Sequence, residues 1–270
     1  MLISAVPRLI AEFHLKTTDV GWAFTGFLLM AAAAIGGKLG DLFGRKKVLL
    51  IVLLRSILGS VVSVAVGTFP AIVVGRTIQG VSGAVLPLIM GISREAVVPK
   101  GVPVTMAVVA GTVTVAGAFG YWAAGQLVEH FSWHGIFIVA GALAVVATVL
   151  CHFALNPSPK THVEGEKVDV IGGVLFVPAL AAVLYGVTSS QTKGWTSAVV
   201  LGYIAAGTVI GALWVWWELR VAQPMINLRL PGRPKYTLTM GIVACLAFGV
   251  MGGMQPLLFQ SPRTHPWGSG

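Results

Sequence analysis

The sequence predicts an all-α protein, a polytopic bundle of transmembrane helices. Three observations carry this. The 270 residues are 56% hydrophobic and 10% charged, with a mean hydropathy of +0.87. A soluble domain is about a quarter charged, so lipid must be the solvent for much of this chain. The apolar residues form continuous runs near the ~20 residues that cross a bilayer, without the alternation of barrel strands. The cations gather in alternate gaps between those runs, as the positive-inside rule requires.

Taken in order, residues 1–6, MLISAV, read as the end of one span. Full spans follow at roughly 20–38, 48–67, 70–92, 102–125, 134–154, 170–188, 197–217 and 238–259. With GRKK (44–47) placed in the cytoplasm, the inside segments hold Lys38, Arg45, Lys46, Lys47, Arg94, Lys100, Lys160, Lys167, Arg220, Arg229, Arg233 and Lys235. Outside segments hold Arg8, Lys16, Lys193 and Arg263. The bias predicts a multi-pass protein of the cell (inner) membrane. Residues 1–154 are expected to form an N-terminal bundle with a partial first helix. Residues 155–236 are a cytoplasmic linker plus two accessory helices. Residues 237–270 begin a second bundle and then lose the pattern in SPRTHPWGSG. A truncated chain lacking its second half is expected from that tail.

Several function classes fall away. The net charge of +9 sits in short loops rather than on one basic face, so nucleic acid is not an expected partner. Cys151 and Cys245 lie in apolar spans without CxxC spacing and read as free thiols. His130 and His134 flank a tryptophan, and no metal or cofactor is expected. Glu95, Glu164, Glu166 and Asp169 show no nucleophile–base arrangement, so the chain is not read as an enzyme. Met1 is followed by no basic segment or cleavage motif, so no signal peptide is expected.

An internal repeat is visible. GKLGDLFGRKKVLLIV from Gly37 and GQLVEHFSWHGIFIVA from Gly125 share Gly, Leu, an acid and Phe at a spacing of 88 residues. Three spans separate the copies, which puts them on opposite membrane faces. Inverted three-helix repeats mark transporter folds.

Four stretches carry chemistry. In GKLGDLFGRKK, Gly37 and Gly40 allow close helix approach and Gly44 a tight turn. Asp41 is expected near the start of the next helix, as a cap or as a partner of Arg45 and Lys46 in a charge-paired hinge. In the span at 48–67, Arg55 is near enough to the cytoplasm to snorkel. Arg76 is different, since it lies deep in the uncharged stretch VGRTIQGVSGA. Placing Arg there costs about 2.5–3.5 kcal/mol on insertion scales, so it is expected to face a polar interior with Gln79. No Asp or Glu lies within the spans to pair with it. In VAGAFGYWAAGQL, Gly117, Gly120 and Gly125 are expected to permit bending or close contact. GxxxG also occurs at Gly36/Gly40, Gly207/Gly211 and Gly249/Gly253.

Together these motifs resemble the major facilitator superfamily, in its fourteen-helix drug:proton antiporter branch. The loop motif matches at Gly37, Leu39, Asp41, Phe43, Gly44, Arg45 and Lys46, and the fourth-helix motif at Arg76, Gln79 and Gly80. The fifth-helix end matches at Gly120, Gly125 and Trp133. Asp169, Gly172, Gly194, Trp195, Glu218 and Pro224 match the accessory pair. The likeness runs from the first residues to about Gln260. It implies export of a small amphipathic substrate in exchange for protons. Arg76 and Gln79 would serve proton coupling. Gly37, Asp41, Gly44, Arg45 and Lys46 would form a gating loop, and Gly117, Gly120 and Gly125 a helix-bending seal. The chain departs from the family at Tyr121 and Ala124, where Pro and Gly are usual. The family's first-helix acid precedes the segment matched by MLISAVP. The alternative is a non-transporting remnant or assembly partner, associating through GxxxG faces.

Overall fold

The computed structural model describes residues 2–15, 17–33, 36–156, 169–222 and 224, and single positions 237, 238, 241, 242 and 245. The chain divides into two compact units, 1–225 and 226–270. In the second unit the five single positions are helical. The rest of the predicted span 238–259, the tail, Gly249/Gly253, and Glu164 and Glu166 lie outside the described residues.

Every regular element described in the first unit is a helix. They are α1 (Leu2–Phe13), α2 (Thr17–Ala33), α3 (Gly36–Phe43), α4 (Arg45–Ala65), α5 (Phe69–Gln79), α6 (Val85–Ala96), α7 (Val102–Ala154), α8 (Val170–Lys193) and α9 (Ala198–Glu218). A 3₁₀ segment, Gly80–Ala84, joins α5 to α6, so these two form one continuous rod. Among the described residues, five helical stretches are long and apolar enough to cross a bilayer. One of them, Pro99–Ala154, has length for two crossings. The shorter α2 is apolar between Asp19 and Ala31.

The boundaries differ from expectation in three places. α1 runs on through Pro7 to Phe13 rather than ending near Val6. The predicted loop between 125 and 134 shrinks to Ser132, whose φ of 66° and ψ of 176° alone interrupt α7. The supposed gating loop is itself helical, as α3, and only Gly44 (φ 91°, ψ 124°) separates it from α4. Single-residue corners keep nearly every backbone donor and acceptor inside a helix, which lipid demands.

Two apolar clusters stack along the bundle. One joins Leu9, Ala23, Ile72, Ala124, Trp133 and Phe137 towards the end away from the GRKK corner. The other joins Leu49, Val52, Leu53, Ala84 and Leu88 beside that corner. Between them α4 and α5 cross at backbone contact: a Cβ on Gly75 would lie 2.5 Å from the Gly59 carbonyl oxygen. The accessory helices α8 and α9 pair through Gly207, where a Cβ would lie 2.8 Å from the Ala179 carbonyl oxygen. α8 seats against α2, with Tyr185 5.2 Å from Trp22 and 4.3 Å from Tyr203 between ring centroids.

Candidate functional site

The basic corner is a charge cluster built on three helices. Gly44 takes the positive φ that a one-residue reversal needs, which turns Arg45 back over α3. Arg45 Nε and Nη2 donate to Asp41 Oδ1 at 2.9 and 2.7 Å, and Nη1 donates to Glu95 Oε1 of α6 at 2.8 Å. The bonds are charge-assisted and short. Gly40 and Gly91 make room for this side chain: a Cβ would come within 3.1 Å of Arg45 Cγ or 2.7 Å of its Nε, respectively.

Asp41 is therefore an ion-pair partner of Arg45 and not a helix cap; the N-cap of α4 is Gly44, without a side-chain bond. Lys46 also departs from expectation. Its Nζ donates to the His152 carbonyl oxygen at 2.8 Å and to that of Leu155. It caps the end of α7, where the helix leaves unsatisfied carbonyls and a negative dipole. Gly37 lies in α3. Sequence reasoning missed Glu95 as the second ion-pair partner of Arg45. Its signal was an acid next to Arg94 at the end of the third full span.

Arg76 lies in the last turn of α5. Its Nη1 donates to Gln79 Oε1 at 3.0 Å, and Gln79 Nε2 donates to Ser60 Oγ of α4 at 2.7 Å. Ser60 Oγ in turn donates to the Ser56 carbonyl oxygen at 3.2 Å. The guanidinium sits 4.5 Å from the Phe27 ring centroid of α2, a cation–π contact that offsets part of its desolvation. Arg76 Nε is buried without a hydrogen-bond partner among the described residues. The expected pairing with Gln79 is present. Ser60 and Phe27 were not foreseen, because one serine or phenylalanine in an apolar span has no pattern to mark it. Immediately after Gln79 the rod tightens to 3₁₀, a form that often marks a hinge within a helix. Beyond Ser60, an apolar cleft of about 320 Å³ opens between α4 and the second arm of α7, walled by Ile57, Val64, Phe137 and Val145.

Gly117, Gly120 and Gly125 lie in regular helix. Gly120 is buried, whereas a Cβ on Gly117 or Gly125 would meet nothing within 4 Å. The departure from helical geometry in α7 is at Ser132. Arg55 is exposed on α4. Of the GxxxG pairs, Gly207 is occupied within the chain by α8, and Gly211 barely touches it, with a Cβ 4.0 Å from that of Ala179. The accessory pair closes at its basic end through Asp169. That carboxylate caps α8 by accepting from the Gly172 N–H at 2.8 Å, and it accepts from Trp217 Nε1 at 3.1 and 3.2 Å.

These features meet a consistent set of relatives. Residues 1–259 match the family model described as Major Facilitator Superfamily. The chain is 28% identical over 269 residues to the tetracenomycin C resistance and export protein of Streptomyces glaucescens, covering 97% of this chain and 49% of that protein. It is 28% identical over 235 residues to the uncharacterized MFS-type transporter YhcA of Bacillus subtilis, covering 85% and 43%. It is 26% identical over 243 residues to the lincomycin resistance protein LmrB of Listeria monocytogenes, covering 88% and 51%. The chain thus spans about half the length of the curated relatives it matches. With a helical bundle and a family match over nearly its whole length, the chain belongs to the Major Facilitator Superfamily.

Proposed function

We propose that this chain supplies the first bundle and accessory helices of an exporter that exchanges protons for small amphipathic compounds. The bundle is residues 1–154 and the linker with the accessory pair is 155–236. Alternating access works by rocking two halves about a site near the bilayer midplane, so the 270 residues alone are not expected to transport. The reading rests on Arg76. A half-buried guanidinium among apolar helices, its Nε buried and without a hydrogen-bond partner among the described residues, is costly to keep in a span. It is suited to stabilise a carboxylate that gains and loses a proton. The Gln79–Ser60 chain holds it in place. The cluster of Asp41, Arg45 and Glu95 is suited to a cytoplasmic gate, because its ion pairs bridge α3, α4 and α6 and can be exchanged for water. Named relatives that export tetracenomycin C or confer lincomycin resistance support the substrate class.

The test uses the complete transporter in vesicles bearing a proton gradient. Arg76→Ala is expected to abolish gradient-driven export of a lipophilic dye while the protein still folds and inserts. Full export with that substitution refutes the coupling role.

A further inference from the structure

The repeat spacing of 88 residues aligns Asp41 with Glu129, Gly44 with Ser132, and Arg45 with Trp133. The geometry follows the alignment. Gly44 and Ser132 are both single-residue breaks with positive φ, 91° and 66°. In each corner the next residue reaches an acid near the end of another helix. Arg45 Nη1 meets Glu95 Oε1 of α6 at 2.8 Å, and Trp133 Nε1 meets Glu12 Oε2 of α1 at 2.8 Å. α1 holds the other side of the break as well, since Arg8 Nη2 donates to the Glu129 carbonyl oxygen at 3.0 Å.

The corners differ in one respect that matters. At the basic corner the positive φ falls on glycine, which adopts it freely. At the far corner it falls on serine, with ψ of 176°. That region is essentially reserved for glycine and persists elsewhere only when surrounding contacts enforce it. The contacts are present: Trp133 is fully buried, 5.8 Å from Phe13 and 6.1 Å from Phe137 between ring centroids, and His134 stacks on it at 3.6 Å.

We propose that the far corner is a spring-loaded latch, the counterpart of the ion-paired corner on the opposite face. Glu12 and Trp133 are its positioning pair. Their bond, with Arg8 on Glu129, holds Ser132 in its strained conformation and α1 against the α7 corner. Release of that bond lets Ser132 relax and the corner open. The role in gating rests on the exporter reading above; the latch itself does not require it.

The experiment measures opening, not export. Val128 is buried beside the corner. It is replaced by cysteine in the full chain, with Cys151 and Cys245 changed to serine, and reconstituted in lipid vesicles. Labelling by a membrane-impermeant maleimide is timed. Trp133→Phe keeps the ring and removes the donor. It and Glu12→Ala are each expected to speed labelling about ten-fold, the scale of one hydrogen bond to a charged group. The double variant should be no faster than the quicker single. Ser132→Gly alone should slow labelling by about three-fold or more, because the strain that drives opening is gone. A purely packing role for Trp133, with no strain to release, predicts no such slowing. Labelling within about two-fold of the parent in both single variants overturns the latch; so does labelling of Ser132→Gly no slower than the parent. The expected labelling together with absent export in the complete transporter would sink the exporter reading alone.

Discussion

Gly75→Ala tests the helix crossing on which the Arg76 site is built. The new methyl would sit 2.5 Å from the Gly59 carbonyl oxygen and 3.1 Å from the Ser63 nitrogen, with the Ser63 hydroxyl nearer still. Ordinary contact begins near 3.4 Å, so α4 and α5 must part by about 0.9 Å, the difference from 2.5 Å. That displacement stretches the Gln79–Ser60 bond from 2.7 Å to about 3.6 Å, beyond hydrogen-bond length. Overpacking costs about 1–3 kcal/mol and the lost bond about 1 kcal/mol. The expected destabilisation is therefore ~2–4 kcal/mol. Reversible denaturant unfolding of the detergent-solubilised chain, followed by tryptophan fluorescence, reads it directly. Ser63→Ala should recover part of the loss, because it removes the hydroxyl but not the Gly59 carbonyl. Gly117→Ala is the control. No neighbour lies within 4 Å of its Cβ, so it should be neutral or gain up to about 1 kcal/mol from helix propensity. A loss below about 0.5 kcal/mol for Gly75→Ala, or an equal loss for Gly117→Ala, would refute the crossing as the source of stability.

Other outcomes follow from single contacts. Lys46→Met should speed amide exchange at residues 152–155 and cost about 1 kcal/mol, because the end carbonyls of α7 lose their cationic cap; Lys46→Arg should restore most of it. Asp169→Ala should cost about 1–2 kcal/mol through the lost α8 cap and the lost Trp217 bond, whereas Trp217→Phe should cost only the latter part. A double-mutant cycle on Arg45 and Glu95 should give a coupling of at most about 1 kcal/mol that shrinks as salt rises, since both side chains remain partly exposed. A salt-independent coupling would count against a solvent-accessible gate.

Much of this was legible in the residues themselves. Bilayer physics makes span length and loop charge nearly sufficient to place helices, so the spans at 48–67 and 197–217 match α4 and α9 closely. The repeat from Gly37 and Gly125 could be read because corner geometry recurs with its motif. Arg76 stood out because a cation in an apolar run is costly wherever the helix turns. The partners were not legible. Every face of these helices is apolar, so periodicity cannot say that Ser60 rather than Ser63 receives Gln79, or that Phe27 lies under Arg76. Nor could spacing divide the work of two adjacent cations, Arg45 towards Glu95 and Lys46 towards the end of α7. Composition and charge alone determined that the chain crosses a membrane and where its cost is concentrated. Only the packing of helices decided which side chains meet, because that choice depends on contacts between residues 19 to 121 positions apart, and no local rule of sequence reaches so far.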